Sequence, residues 1–217
     1  MPATTSPGPP SRPLKLALAL VLAALLAGCS SGSSSSTTGA ATGAIQGSGF
    51  DGAALPAGIA APGFTLTDQQ GRPVSLARYR GQATVLTFLY STCGPTCILV
   101  AQQIRGALDQ LPRPAPVLII SVDPVADTRA NVARFLAQVS LAGRVEYLSG
   151  SRQRLQRLWR AYRITPPSAS RSSFDRAASV LLIDRAGDER VQFGLEQLTP
   201  ESLIHDIGKL DGEPAHP

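Results

Sequence analysis

Two cysteines, Cys93 and Cys97, close the stretch Tyr90-Ser-Thr-Cys-Gly-Pro-Thr-Cys97. Positions i and i+4 of a helix lie one turn apart on the same face, with Cβ atoms roughly 5–6 Å apart. Sulfurs so placed can close a disulfide, grip one soft metal ion between them, or staple the fold. The staple is the weakest of the three readings, because closing so small a loop restrains the unfolded chain little.

Which chemistry prevails depends on the elements that carry the pair. Upstream, Ala83–Tyr90 (ATVLTFLY) is the apolar, β-branched run of a strand covered on both faces, and it leads directly into the cysteine loop. Downstream, Ile98, Val100, Ala101, Ile104, Leu108 and Leu111 recur at helical spacing until Pro112 stops them. The cysteines thus stand at a helix N-terminus, whose partial positive charge stabilises a thiolate and lowers its pKa. Cys93, ahead of the helix body, is the candidate attacking sulfur, and Cys97 the sulfur that resolves it.

The flanking pattern completes an α/β domain. Phe64–Leu76 alternates around Asp-Gln-Gln-Gly as a hairpin, and Val117–Val122 is a second buried strand ended by Asp123-Pro124. Asp127 or Thr128 caps a helix bearing Val132, Phe135, Leu136 and Val139. Arg144–Leu148 is a short strand, and Ser151 caps a helix running to Tyr162. Pro166–Arg176, rich in Pro and Ser, reads as a loop. Ser179–Ile183 and Arg190–Phe193 form a hairpin, and Thr199-Pro200 opens a final helix. The sum is a three-layer α/β sandwich of the thioredoxin type with an N-terminal β-hairpin.

Few other ligands are on offer. The third cysteine is Cys29, and the histidines are His205 and His216, both near the C-terminus. A tetrahedral zinc site needs two protein ligands beyond the cysteine pair, which disfavours zinc. Eighteen of the twenty basic residues are Arg, scattered except at Arg152, Arg154, Arg157, Arg160 and Arg163. That cluster reads as a solvated helix face, and nothing in the pattern suggests nucleic acid.

The N-terminus addresses the protein. Arg12 and Lys15 precede twelve apolar residues, Leu16–Ala27, too short a run for a bilayer span of about 20. Charged, apolar and small-residue parts in that order make residues 1–28 a secretory signal. Leu26-Ala27-Gly28-Cys29 looks like a bacterial lipobox, with Cys29 the lipidated first residue of the mature protein. Removal of the signal takes the formal charge from +5 to +3. Residues 29–54, uncharged up to Phe50, read as a tether whose random-coil span is on the order of 25 Å. The folded domain is then 55–213, with 214–217 a tail. An extracytoplasmic protein anchored at the membrane leaves Cys93 and Cys97 alone in an oxidising compartment.

The segments FTLTDQQGRPVSL, YSTC with its second cysteine, SVDPVADT, YLSGSRQRLQRLWRAYRI and VLLID together resemble the Sco/SenC family over Pro62 to Leu210. The resemblance implies a membrane-anchored thioredoxin fold that helps assemble the copper centre of cytochrome c oxidase. It implies that Cys93 and Cys97 match the family's copper-binding cysteines, and that the apo copper domain of the oxidase, or another thiol or copper protein, is the partner. The family's third ligand is a histidine of an Asp-His pair; here that place reads Asp175-Arg176. A guanidinium has no lone pair to give a metal, so Arg176 becomes a candidate thiolate stabiliser. The departure favours dithiol–disulfide exchange through Cys93 and Cys97. A Cu(I) chaperone using the two cysteines alone is the alternative. A thiol peroxidase is third, because the Thr or Ser that peroxiredoxins carry three residues before the reactive cysteine is Tyr90 here.

The N-terminal reading has a direct check. Cys29→Ser should release the protein from the membrane fraction, whereas a variant that stays bound through an uncleaved helix would overturn the lipobox.

Overall fold

The computed structural model describes residues 47–213. The signal, Cys29 and the tether up to residue 46 lie outside the described residues. Among the described residues, no helix is long and apolar enough to cross a membrane. In chain order the elements are β1 (Ala53–Ala54), β2 (Thr65–Thr67), β3 (Pro73–Ser75), a short 3₁₀ turn (Leu76–Tyr79), β4 (Thr84–Leu89) and α1 (Pro95–Gln110). There follow β5 (Val117–Ser121), α2 (Arg129–Gln138), β6 (Glu146–Leu148), α3 (Arg152–Ala161), α4 (Arg171–Ala177), β7 (Ser179–Ile183), β8 (Glu189–Gly194) and α5 (Pro200–Gly212).

Six strands form one sheet in the order β1-β8-β7-β4-β5-β6. β4, β5 and β6 are parallel, and β7 and β8 run antiparallel to complete it. Every residue of β4 and β5 is buried, as expected of strands covered on both faces. Right-handed crossovers from β4 through β5 to β6 set α1 and α2 on one face, and the return from β6 to β7 sets α3 on the other. α5 packs beside α1. α3 and α4 hold the opposite face, where Tyr162 just past α3 meets Phe88 at 5.2 Å and Phe174 of α4 meets Tyr90 at 5.4 Å between ring centroids. The hairpin β2–β3 pairs Leu66 with Val74, both buried, and Thr67 exchanges two backbone hydrogen bonds with Ser149 beside β6. This is the three-layer α/β sandwich with an N-terminal hairpin that the sequence predicts.

Two boundaries differ from the sequence reading. The Pro- and Ser-rich stretch is not all loop. Ser170 accepts from the Ser173 N–H and caps α4, and the helix is held by Phe174, buried against Tyr90. Serines lower helix propensity but make good caps, and one buried aromatic supplies what propensity lacks. The folded part also starts before residue 55. The fully buried Asp206 carboxylate accepts from the N–H groups of Asp51 and Gly52, and Lys209 donates to the Ser48 carbonyl and lies 4.3 Å from the Phe50 ring centroid. β1 then pairs with β8. Among the described residues the sheets, the helices and the buried core close on one another, so 47–213 has the makings of a unit that folds alone.

Gly52 makes the close approach possible. A Cβ there would meet Val191 Cγ1 at 2.5 Å and Phe193 Cε1 at 2.9 Å, both in the core. Gly52→Ala should therefore lower stability by about 1–3 kcal/mol, read as an earlier midpoint in urea unfolding.

Candidate functional site

The site is built at the C-terminal ends of the central strands. β4 ends at Leu89; the Cys93 N–H donates to the Tyr90 carbonyl at 3.1 Å, turning the chain, and α1 begins at Pro95. Gly94 is the N-cap and brings no capping side chain, and Pro95 has no N–H to satisfy. The first amides of α1 consequently keep their positive end toward the cysteine loop. Cys93 and Cys97 are joined in a disulfide, with Cα atoms 5.7 Å apart. Cys93 retains 9% of its surface while Cys97 retains none. A Cβ built on Gly94 meets nothing within 4 Å, so the outer side of the loop is open. An approaching sulfur can reach Cys93 and not Cys97, the asymmetry that attack and resolution require.

Beneath the loop sits a residue whose role the sequence does not announce. Asp127 and Thr128 are both candidate caps for α2; Thr128 is the cap, its Oγ1 accepting from the Asn131 N–H. Asp127 turns inward instead. One oxygen accepts from the Ser91 N–H at 2.6 Å, and the other from the hydroxyls of Ser121 at 2.5 Å and Tyr147 at 2.8 Å. A single carboxylate thereby ties the cysteine loop to the end of β5 and to β6. Burial raises its pKa against the opposing pull of these hydrogen bonds. The usable signal is the spacing Asp-Pro-x-x-Asp-Thr: two caps for one helix leave one free for other work. Asp123 makes the turn expected of it, its Oδ1 accepting from the Ala126 N–H at 3.2 Å.

α4 covers the other flank. Phe174 packs edge-on to Tyr90, and the Arg171 guanidinium lies 6.0 Å above the Tyr90 ring. Burial raises the Tyr90 phenol pKa, Arg171 offsets part of the rise, and Asp175 and Asp123 add to it. Among the described residues, the Tyr90 and Ser91 hydroxyls are buried side-chain oxygens without a hydrogen-bond partner, and both belong to the residues leading into Cys93. Arg176, one residue past Asp175, sits in the last turn of α4 with its side chain exposed and its guanidinium 3.5 Å from Ser173 Oγ. The structure thus joins Cys93 to Cys97 and sets α4 against Tyr90, three residues before Cys93, with the Arg176 guanidinium directed to Ser173 and solvent.

His205 is on α5, half exposed, its Nδ1 2.8 Å from Asp206 and 3.6 Å from Asp51. These three side chains converge within 4.8 Å, but the Asp206 carboxylate is committed to the backbone of the N-terminal segment. The group is a clamp on the segment at Asp51 and Gly52.

The family model described as SCO1/SenC matches residues 53–210. The chain belongs to the SCO1/SenC family. It is 31% identical over 117 residues to the mitochondrial SCO2 homolog of Bos taurus, covering 52% of this chain and 43% of that protein. It is 37% identical over 70 residues to peroxiredoxin Bcp of Escherichia coli K12, covering 32% of this chain and 45% of that one. The chain therefore spans less than half the length of these relatives. Among solved structures, the copper-bound ScoI of Bradyrhizobium japonicum aligns with a TM-score of 0.52 at 25% identity, over 70% of this chain and 99% of that one.

A copper ion of the Cys/Cys/His kind does not fit the residues present. Two sulfurs suit soft Cu(I), but the nitrogen donor favoured by Cu(II) is absent from the position after Asp175, where Arg176 stands. The chemistry this donor set supports best is that of the sulfurs themselves.

Asp127 allows a test with a defined sign. Asp127→Ala strands the Ser91 N–H and two hydroxyls and should cost about 2–4 kcal/mol in urea unfolding; Asp127→Asn keeps an acceptor for Ser91 and should cost less. The folded carboxyl holds its proton more tightly than the unfolded one, whose pKa is about 3.9. Its stabilising share is thus complete below that value and declines as pH rises through the folded pKa. The advantage of wild type over Asp127→Asn should shrink from about pH 4 upward.

Proposed function

We propose that this protein is an extracytoplasmic, lipid-anchored member of the SCO1/SenC family that serves assembly of the cytochrome c oxidase copper centre by dithiol–disulfide exchange. The single observation that carries the reading is the Cys93–Cys97 disulfide at the head of α1, with one sulfur reachable and the other enclosed. In the reduced protein, the Cys93 thiolate attacks a disulfide sulfur of the partner. One partner sulfur leaves as thiolate and takes a proton, and a mixed disulfide forms. The Cys97 thiolate then attacks Cys93, closing the intramolecular bond and releasing the second partner thiol. Two electrons pass from this protein to the partner, whose dithiol becomes ready to receive metal. An extracytoplasmic dithiol reductant returns Cys93 and Cys97 to the reduced state.

A second reading, a Cu(I) chaperone, is favoured by the same pair, because two thiolates one turn apart can hold a soft ion. The substitution at Arg176 weighs against it. A guanidinium there offers no lone pair to a metal, and one that reaches the sulfurs would stabilise thiolate and repel metal, which serves exchange over storage. The peroxiredoxin likeness covers a third of the chain and carries no Thr or Ser at the position of Tyr90.

One experiment separates these readings. In the reduced domain, Cys93 should alkylate before Cys97 with a pKa below the reference of about 8.5. Wild type should bind Cu(II) poorly and lack an intense thiolate-to-copper absorption band. Arg176→His supplies a nitrogen donor and removes a positive charge. Cu(II) affinity should rise on the order of a hundredfold with the band appearing, and the Cys93 pKa should move up. A band already present in wild type would defeat the exchange reading. A variant that changes neither property would remove Arg176 from the site.

A further inference from the structure

The formal charge of this chain conceals a strong separation. From Gly150 to Phe174 there are six arginines, Arg152, Arg154, Arg157, Arg160, Arg163 and Arg171, and no Asp or Glu. That segment carries +6. Set against the chain's +5, and leaving out Arg12 and Lys15 of the signal, the remainder of the protein is −3. Most of the opposite sign lies at the far end: from Asp175 onward there are nine acidic residues and four basic ones.

The fold leaves the arginines of this segment free of carboxylate partners. All six arginines are exposed, and none takes part in an ion pair among the described residues. Five lie on α3 or just past its end, where Leu155, Leu158 and Trp159 are the buried stripe and Arg157 and Arg160, three residues apart, sit at the middle of the outer side. Arg154 also donates to the Thr65 carbonyl at 3.2 Å. α5, with most of its charges acidic, packs with α1 on the opposite side of the sheet. The arginine face of α3 is thus the strongly charged one: across the sheet, Arg105, Arg129, Arg134 and Lys209 balance Asp109, Glu201, Asp206 and Asp211.

We infer that the arginine face of α3 rests on anionic phospholipid headgroups, so that the domain lies on the membrane in one orientation. The residues between the arginines are Gln153, Gln156 and Ala161. The exposed large apolar side chains among the described residues are Ile59, Leu99 and Val125, none of them on α3. A protein partner is gripped by aromatic and aliphatic anchors; α3 exposes none, and the apolar cleft that holds Phe64 and Leu158 beside Arg154 and Arg157 lies at its edge. Evenly spread guanidinium groups along about 15 Å of helix instead match a diffuse layer of phosphates. The chain before Ser48 supplies the reason for proximity: Cys29 is the lipid-anchor site and the tether is uncharged. The inference rests on that membrane-held part of the proposed function. Trp159 of α3 donates to the Ser121 carbonyl at the end of β5, beside the end of β4 that feeds the cysteine loop. Docking through α3 would therefore turn toward the membrane the face that lies next to the strand end feeding the cysteine loop.

The test uses residues 47–217 without lipid, so that only the face can bind. Sedimentation with vesicles of phosphatidylglycerol and phosphatidylcholine in equal parts at about 50 mM salt should bring the domain down. Vesicles of phosphatidylcholine alone, or the mixed vesicles at about 500 mM salt, should leave it in solution. Arg152→Glu, Arg157→Glu and Arg160→Glu together should weaken binding by about two orders of magnitude, three headgroup contacts being lost. The same variant should alkylate at Cys93 at the wild-type rate, which separates failure of this face from failure of the exchange reading. If the triple variant unfolds, Arg157→Gln with Arg160→Gln should still reduce binding by about tenfold or more. Equal binding to both vesicle types, or equal binding by the arginine variants, would overturn the proposal. A domain that ignores the mixed vesicles but captures a poly-glutamate peptide would assign the face to an acidic protein and overturn it as well.

Discussion

The hydrogen bonds of the Asp127 carboxylate are the constraint on which the site depends. The cysteine loop leaves the sheet at Tyr90 and would otherwise be a surface turn, with only its own Tyr90–Cys93 hydrogen bond to shape it. Asp127 reaches from the far side of β5 to take the Ser91 N–H, and is itself held by Ser121 of β5 and Tyr147 of β6. Three parallel strands and the redox loop are thereby referred to one buried acceptor. Opening and closing a disulfide changes the separation of two sulfurs, and a loop pinned two residues upstream confines that change to the first turn of α1. The enclosed Cys97 and the accessible Cys93 follow from this pinning together with the direction of α1.

How much of this is legible in the sequence depends on whether the signal is local. The hairpin of Phe64–Leu76, the buried strands, and the caps at Ser151 and Thr199 can be read because each is written in a few consecutive residues. The pairing of Cys93 with Cys97 is legible as a possibility for the same reason. Asp127 is not, because its partners are 36, 6 and 20 residues away in sequence, and nothing local distinguishes an inward carboxylate from a cap. α4 escapes the sequence reading because its propensity is poor and its support, the Phe174–Tyr90 contact, crosses the domain. The start of the fold reads too late since Gly47, Gly49 and Gly52 resemble linker glycines. Gly49, at φ +70°, has the Lys209 ammonium where its Cβ would be, and Gly52 leaves no room for a Cβ beside the core.

Charge shows the same limit in another form. As a total, the chain's +5 says little about partners, and a row of arginines on one helix is ordinarily a solvated surface. Its significance emerges only once the six arginines are found exposed and, among the described residues, without carboxylate partners on one face of the sheet. A separated distribution exerts a torque that a uniform one does not, and torque matters most for a domain already held near a charged plane.

Arg176 is where family and chain diverge, and physical chemistry decides what the divergence permits. Replacing an imidazole by a guanidinium subtracts a lone pair and adds a permanent charge, and the two changes act together on a pair of sulfurs. Metal held at such a pair loses a ligand and gains a neighbour of like sign. Thiolate at the same pair loses nothing and gains a counterion, to a degree set by how closely the exposed guanidinium swings toward Cys93. Ser173, 3.5 Å from that guanidinium, is a weak hold on a long, exposed side chain. A cation that reaches the pair would have an anionic partner only in the reduced protein. On the function proposed above, a SCO1/SenC domain with two cysteines and an arginine after Asp175 is suited to exchange electrons.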